Sequence, residues 1–292
     1  MNAIETRNVS KHFRDVTALE DVSLDLAEGR VHGLLGRNGA GKTTLMKLLT
    51  GQLFASSGEM RVLGENPVEN ARVLTQTCFI QESQKYPDGF RPLDVLRIAE
   101  GLHPAWDHEL ARELVSEFRL PEKRVIKKLS RGQLSAVGII VGLASRAPLT
   151  FFDEPYLGLD AVARRLFFDR LLADFSAHPR TVILSTHHID EVSGLLEHVV
   201  LLDQGRVEIS AETDELCGAA IEVSGRLEEV RSFIADADLL HLQELGALAT
   251  AAVHAEPGSA ERARAAGLRV APVSLQNYIV HRTTAAAAAP VT

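Results

Sequence analysis

The chain has 292 residues, 46% of them hydrophobic, with a formal net charge of -8 and two cysteines. That length holds one large or two ordinary domains with a sizeable core, and the acidic balance argues against a general nucleic-acid surface, which shows a basic face or stripe. Cys78 and Cys217 are too few and too far apart for a disulfide scaffold or a zinc site, and both read as core thiols. The longest apolar stretch, 136–144, falls far short of the roughly 18 to 20 residues of a membrane helix. The opening MNAIETRNVSKHF has no apolar signal core, so the expected location is cytoplasmic.

The chain begins with strand-like pieces at 4–9 and 22–26, the second alternating apolar and polar as a half-buried strand does. Val31–Leu35 is a short apolar strand, followed by a glycine-rich turn. The stretch 42–50 reads as a helix, with Leu45, Leu48 and Leu49 on one face and Gly51 as its stop. From 93 to 144 the apolar spacing is helical, for example Leu110, Leu114 and Phe118, which predicts a helical subdomain over about 83–145. Strand-like runs return at 149–152, 181–185 and 199–202, with a helical stretch at 161–175 between the first two, the alternation expected of a parallel sheet.

After the turn at Gln204-Gly205 the composition shifts toward Ala and Glu, and a second, smaller domain is expected over 213–282. Its pieces read as strand 220–223, helix Leu227–Ile234, strands 239–242 and 250–254, helix 260–266 and strand 269–273. That βαββαβ order predicts a small α+β, ferredoxin-like domain. The alanine-rich tail 283–292 lacks core-forming residues and is expected to be flexible.

GRNGAGKT, at 36–43, matches G-x-x-x-x-G-K-[ST] and lies between a strand and a helix, the context a phosphate-binding loop requires. Its glycines let successive N–H groups turn toward phosphate oxygens, and the helix that follows adds its positive end. Asn38, Gly39, Ala40, Gly41, Lys42, Thr43 and Thr44 are the candidate nucleotide contacts, with Lys42 on the β- and γ-phosphates and Thr43 on Mg²⁺. FFDEPYLGLD, at 151–160, ends an apolar run in two adjacent acids. Alone, an acid at a strand end is often a helix cap. Beside a nucleotide, Asp153 is read as a Mg²⁺ partner and Glu154 as the group that orients and polarises the attacking water. LSRGQ, at 129–133, places Ser130 and Gln133 in the capping-box relation at the start of an apolar helix, leaving N–H groups for an anion. By itself it is as well read as an ordinary cap.

In this order, the motifs resemble those of the ATP-binding cassette (ABC) ATPases, over residues 1 to about 210. The resemblance implies an α/β P-loop NTPase fold of the ABC type, with a mixed-sheet core and a helical subdomain, in a domain over 1–212. It makes 36–43 the Walker A loop, Gln81 the Q-loop glutamine and a further Mg²⁺ contact, 129–133 the signature, Asp153 and Glu154 the end of Walker B, Asp160 part of the D-loop and His187 the switch histidine. Phe13 is similar to the aromatic that stacks on adenine. Two copies are then implied to sandwich two ATPs, with Ser130, Arg131, Gly132, Gln133 and Asp160 working across the interface. The signature departs from the family pattern at Arg131, which stands where a glycine is usual and either adds a phosphate contact or hinders closure. Tyr156-Leu157 precede the D-loop in place of the usual small polar pair.

One unsplit cassette without heptads is similar to the ATPase subunits of bacterial transporters, and the stretches DEPYLGLDAVARR and SLQNYIVHRT resemble a subgroup serving exporters. The resemblance implies ATP and Mg²⁺ as cofactors, a homodimer or heterodimer of ATPase subunits, a separate transmembrane permease, no nucleic acid, and a peripheral location on the inner face of the cell membrane. Tyr86, Pro87 and Phe90, just after Gln81, are candidates for the permease groove, although Phe90 is equally readable as core. The alternative is a soluble ABC ATPase or regulator acting on a ribosome or nucleic acid.

Overall fold

The computed structural model describes residues 1–82 and 84–288. They form two compact units: Met1–His187 with Leu195–Ser210, and His188–Gly194 with the described residues from Ala211 onward.

In the first unit β1 (Asn2–Phe13), β2 (Val16–Ala27) and β3 (Val31–Leu35) lead to α1 (Lys42–Leu49), β4 (Ser57–Val62), α2 (Ala71–Leu74) and β5 (Thr77–Gln81). Three longer helices follow, α3 (Pro92–Leu102), α4 (His108–Glu117) and α5 (Arg131–Ala144). The chain then runs through β6 (Leu149–Asp153), α6 (Ala161–Ala177) and β7 (Thr181–Thr186). The short helix α7 (Ile189–Val192) groups with the second unit, after which β8 (His198–Asp203) and β9 (Arg206–Glu212) close the cassette sheet.

β1 pairs antiparallel with β2 and β4 in a three-stranded sheet. The main sheet has six strands in the order β5-β6-β7-β3-β8-β9, parallel from β5 through β8. Every residue of β3, β6 and β7 is buried, as expected of central parallel strands covered on both faces. By contrast β2 alternates buried and exposed residues over its second half. Helix α1 packs against strands of both sheets, and its Leu45, Met46, Leu48 and Leu49 join Ile4, Val9, Leu24, Phe151, Ile183 and Val200 in one core.

The register aligns the carboxyl ends of the parallel strands. Gln81 lies beside Asp153, Asp153 beside Ser185, and Leu35 beside Thr186. The glycine-rich loop, Gln81, the Asp-Glu pair and His187 therefore leave the sheet along one edge, where open α/β sheets bind ligands. At the opposite ends Arg146 and Arg180, which precede β6 and β7, converge on Asp174 of α6, and Arg146 also reaches Asp107, the cap of α4, at 2.6 Å.

The second unit continues with α8 (Thr213–Gly218), β10 (Ala220–Arg226), α9 (Leu227–Ile234), β11 (Leu239–Leu245), β12 (Leu248–His254), α10 (Ser259–Ala265), β13 (Arg269–Pro272) and α11 (Leu275–Ala288). The sheet order β11-β12-β10-β13, antiparallel throughout, is that of a split βαβ sandwich. Val230 of α9 and Ala263 of α10 share one core with Val223, Ala249 and Ala251. Helix α11 runs into the segment expected to be a flexible tail, and residues 289–292 lie outside the described residues.

Helix α11 packs on β11, where the rings of His241 and His281 stack 4.4 Å apart at 12°. Burial, and then the neighbouring His241, hold the His281 imidazole below its ordinary value. The folded state therefore prefers His281 neutral. That contribution is present above the unfolded-state value, about 6.5, and is lost as the pH falls through the lower folded value. Acidification from about pH 7 to 5 should lower the hydrogen-exchange protection factors of α11, taken relative to the intrinsic rate at each pH, and His281→Gln should flatten that dependence.

Candidate active site

Glycines shape the loop between β3 and α1. Gly36 and Gly41 have φ of 146° and 105°, and a Cβ at Gly36 would lie 2.3 Å from the Leu202 carbonyl oxygen. At Gly41 it would lie 2.6 Å from the Ala18 carbonyl oxygen. Neither neighbour can give way, since both are backbone. Gly36→Ala should therefore distort the loop and weaken nucleotide binding by roughly tenfold or more, read by equilibrium titration with a fluorescent ATP analogue.

Inside the loop, the buried Lys42 ammonium donates to the Gly36 carbonyl at 2.7 Å and lies 3.6 Å from Glu154 Oε1. Thr43 Oγ1 donates to Asp153 Oδ2 at 2.6 Å. Glu154 follows β6 in a left-handed turn, φ 49°, uncommon for a residue with a side chain and set by the exit of the strand. Its Oε2 lies 2.5 Å from Nδ1 of His187. Asp153 and Glu154 are both buried, while His187 keeps 39% of its side chain exposed. Lys42, Thr43, Asp153, Glu154 and His187 are thus one cluster, drawn from three elements by strand register.

This cluster fits a magnesium nucleotide. The Thr43 hydroxyl and the Asp153 carboxylate are hard oxygen donors within a hydrogen bond of each other, and Gln81 leaves the adjacent strand at the same level. Among the described residues no group of three or more His, Cys, Asp or Glu side chains could hold a metal. A cation here would thus complete its shell with phosphate oxygens and water, as Mg²⁺ commonly does.

A second group forms around α5. Ser130 and Gln133 cap the helix reciprocally, at 3.2 and 3.1 Å. Gly132 packs so tightly on Gly158 that a Cβ would meet the Gly158 carbonyl oxygen at 2.6 Å, and Ser135 Oγ donates to the Leu157 carbonyl at 2.7 Å. Arg131 reaches across to Glu82, beside Gln81, at 3.4 Å. Asp160 caps α6 through the Ala163 N–H at 2.8 Å. Phe13 stands at the end of β1, 43% exposed, with the Lys11 ammonium 4.8 Å from its ring centre.

Sequence reasoning missed Tyr156 as a member of the site. It is buried, its hydroxyl hydrogen-bonds Thr186 at 2.6 Å, and its ring lies 6.4 Å from that of His187. The signal was present as an aromatic where the family pattern has a small polar residue. Glu82 and Ser135 carried no signal, because their contacts are made across the fold.

The family model described as ABC transporter matches residues 19–157, which include the glycine-rich loop, Gln81, 129–133 and the Asp-Glu pair. Nod factor export ATP-binding protein I of Cupriavidus metallidurans is 31% identical over 225 residues, covering 75% of this chain and 74% of its own. The chain belongs to the ABC transporter family of ATP-binding proteins. This ABC cassette is also similar to the ABC transporter ATP-binding protein YtrB of Bacillus subtilis, 27% identical over 213 residues and 73% of each chain. A solved ATP-binding subunit of an ABC transporter superimposes with a TM-score of 0.66 at 25% identity, covering 73% of this chain and 91% of that one.

Proposed function

We propose that this chain is the ATP-hydrolysing subunit of a bacterial ABC exporter, acting as a pair of ATPase subunits beneath a separate transmembrane permease. The observation that carries the proposal is the convergence of Lys42, Thr43 with Asp153, and Glu154 with His187 on one edge of the sheet. The loop from Asn38 to Thr44 and Lys42 hold the phosphates, and Phe13 stacks on the adenine. Thr43, Asp153 and Gln81 would hold Mg²⁺, which neutralises phosphate charge when bound. Glu154 takes a proton from the attacking water as the water oxygen bonds the γ-phosphorus and the bond to ADP breaks. His187, against the other carboxylate oxygen, orients Glu154 and senses the γ-phosphate. Ser130, Arg131, Gly132, Gln133 and Asp160 serve the nucleotide of the second subunit.

Coupling to the permease is assigned to a cavity of about 450 Å³ between β5 and α3, lined by Tyr86, Pro87, Phe90, Ile98 and Leu102 among others. Among the described residues the buried Tyr86 hydroxyl has no hydrogen-bond partner there, and burial pushes it well above the usual tyrosine range. Ile98 and Leu102 are exposed, 49% and 64%. Among the described residues no helix is long and apolar enough to cross a membrane, in keeping with a peripheral place on its inner face. The export direction is supported by the Nod factor export relative.

Affinity purification from gently solubilised membranes tests the coupling. A polytopic membrane protein should accompany the wild type and be lost on Ile98→Asp/Leu102→Asp, with ATPase activity retained. Recovery from the soluble fraction with ribosomes or nucleic acid would overturn the transporter reading.

A further inference from the structure

The sheet of the second unit has two unlike edges. At one end β13 is four residues long and carries Arg269 and Pro272. A short edge with a charge and a proline is protected against strand addition. At the other end β11, LLHLQEL, is seven residues long and has no proline, lysine or arginine. Its ends and turn are apolar and open, with Leu239, Leu245 and Leu248 exposed by 42%, 77% and 58%.

The register fixes which backbone groups point outward. Leu245 pairs with Leu248 across the Gly246-Ala247 turn, then Glu244 with Ala249, Gln243 with Thr250 and Leu242 with Ala251. The pair closing a two-residue turn exchanges both of its hydrogen bonds, and an antiparallel ladder alternates from there. Leu245 and Gln243 thus bond inward to β12. Leu242 and Glu244 present their N–H and C=O groups to the open edge, where an added strand would satisfy them.

We propose that a second copy of this chain docks its own β11 here, antiparallel about a two-fold axis at Leu242, so that the two four-stranded sheets become continuous. The strand is self-complementary about that axis. Leu242 meets its counterpart, Leu239 meets the partner subunit's Leu245 and the reverse, and His241 meets the partner subunit's Gln243. No like charges oppose, because Glu244 falls opposite Leu240 and keeps Arg231 of its own subunit at 2.7 Å. The irregularity between Leu239 and His241 falls within this contact, so its regular ladder is His241 to Gln243 and the leucine pairs meet at the two ends of that ladder. Both leucine pairs would leave water, which removes the open apolar ends of the isolated strand. The contact is isologous, so it closes at two copies.

Sedimentation of the full-length chain without nucleotide tests this, since ATP-driven association of the cassettes is silent there. The wild type should be a dimer. Leu239→Lys/Leu245→Lys changes only exposed positions, opposes lysines in both pairs and should raise the dissociation constant roughly tenfold or more. Glu244→Pro removes an outward N–H from each copy and should weaken the dimer likewise. Mixing the double-lysine chain with Leu239→Glu/Leu245→Glu should restore association, and all variants should bind nucleotide as the wild type does. A wild type that stays monomeric at concentrations on the order of 100 μM, or a dimer indifferent to both changes, would overturn the proposal.

Discussion

Glu154→Gln is expected to slow ATP hydrolysis by about 10² to 10⁴, roughly 3 to 5 kcal/mol of activation, with ATP affinity close to wild type. The substitution preserves shape and one hydrogen-bonding oxygen. What it removes is the capacity to accept a proton, at a carboxylate set 3.6 Å from Lys42 and 2.5 Å from His187. Nucleotide affinity should survive because it rests on the loop, whose shape depends on Gly36, Gly41 and the packing beneath them. Phosphate release and equilibrium binding, measured on the same preparation, separate the two. An unchanged rate would remove Glu154 from the chemistry.

Asp174→Ala should destabilise the first unit by about 3 to 5 kcal/mol, read from denaturant unfolding. Asp174 is the carboxylate shared by Arg146 and Arg180, with Arg180 at 2.9 Å. Burial pushes its carboxyl above the ordinary value, and the two guanidiniums pull it back. Arg180 is itself buried, its guanidinium against the carbonyls of Gly142 and Leu143 at 3.3 to 3.4 Å. Deleting the anion leaves both cations without their shared counter-charge, the costly way to break a buried pair. Replacing Asp174 and Arg180 together by apolar residues should recover much of the loss, because Arg146 keeps Asp107 and no buried guanidinium is left without an anion. The site lies at the far ends of β6 and β7, so nucleotide affinity should hardly change in protein that stays folded.

Elements whose side chains face a core were legible from residue pattern alone. Val31–Leu35 is read and found with the same bounds, and the apolar runs of β6 and β7 are nearly so, because burial on both faces makes the run continuous. β1 and β2 extend well beyond the runs 4–9 and 22–26, because their outer parts are polar and held by cross-strand backbone pairing through Phe13↔Val16. Helix α11 enters the alanine tail for a related reason. Alanine needs no core to favour a helix.

The cradle was legible from its glycine spacing between a strand and a helix, the Asp-Glu pair from its place at the end of an apolar run, and His187 from its place in the motif order of the ABC ATPases. Their mutual contacts were not, since Thr43 and Asp153 meet only through the register of β6 beside β7 and β3. The same holds for Arg131 with Glu82 and for Tyr156 with Thr186. Arg131 read in isolation offered a phosphate contact or a hindrance to closure, whereas here it also reaches Glu82, the residue after Gln81.

The most direct test of the central claim is phosphate release by the purified wild-type chain on ATP, with Mg²⁺ and with the metal chelated. Steady release that needs Mg²⁺ is the predicted result, because the cation that Thr43 and Asp153 would hold supplies the neutralisation of phosphate charge. Tight ATP binding with no release in the presence of Mg²⁺ would contradict it and leave a nucleotide-holding module in place of an ATPase.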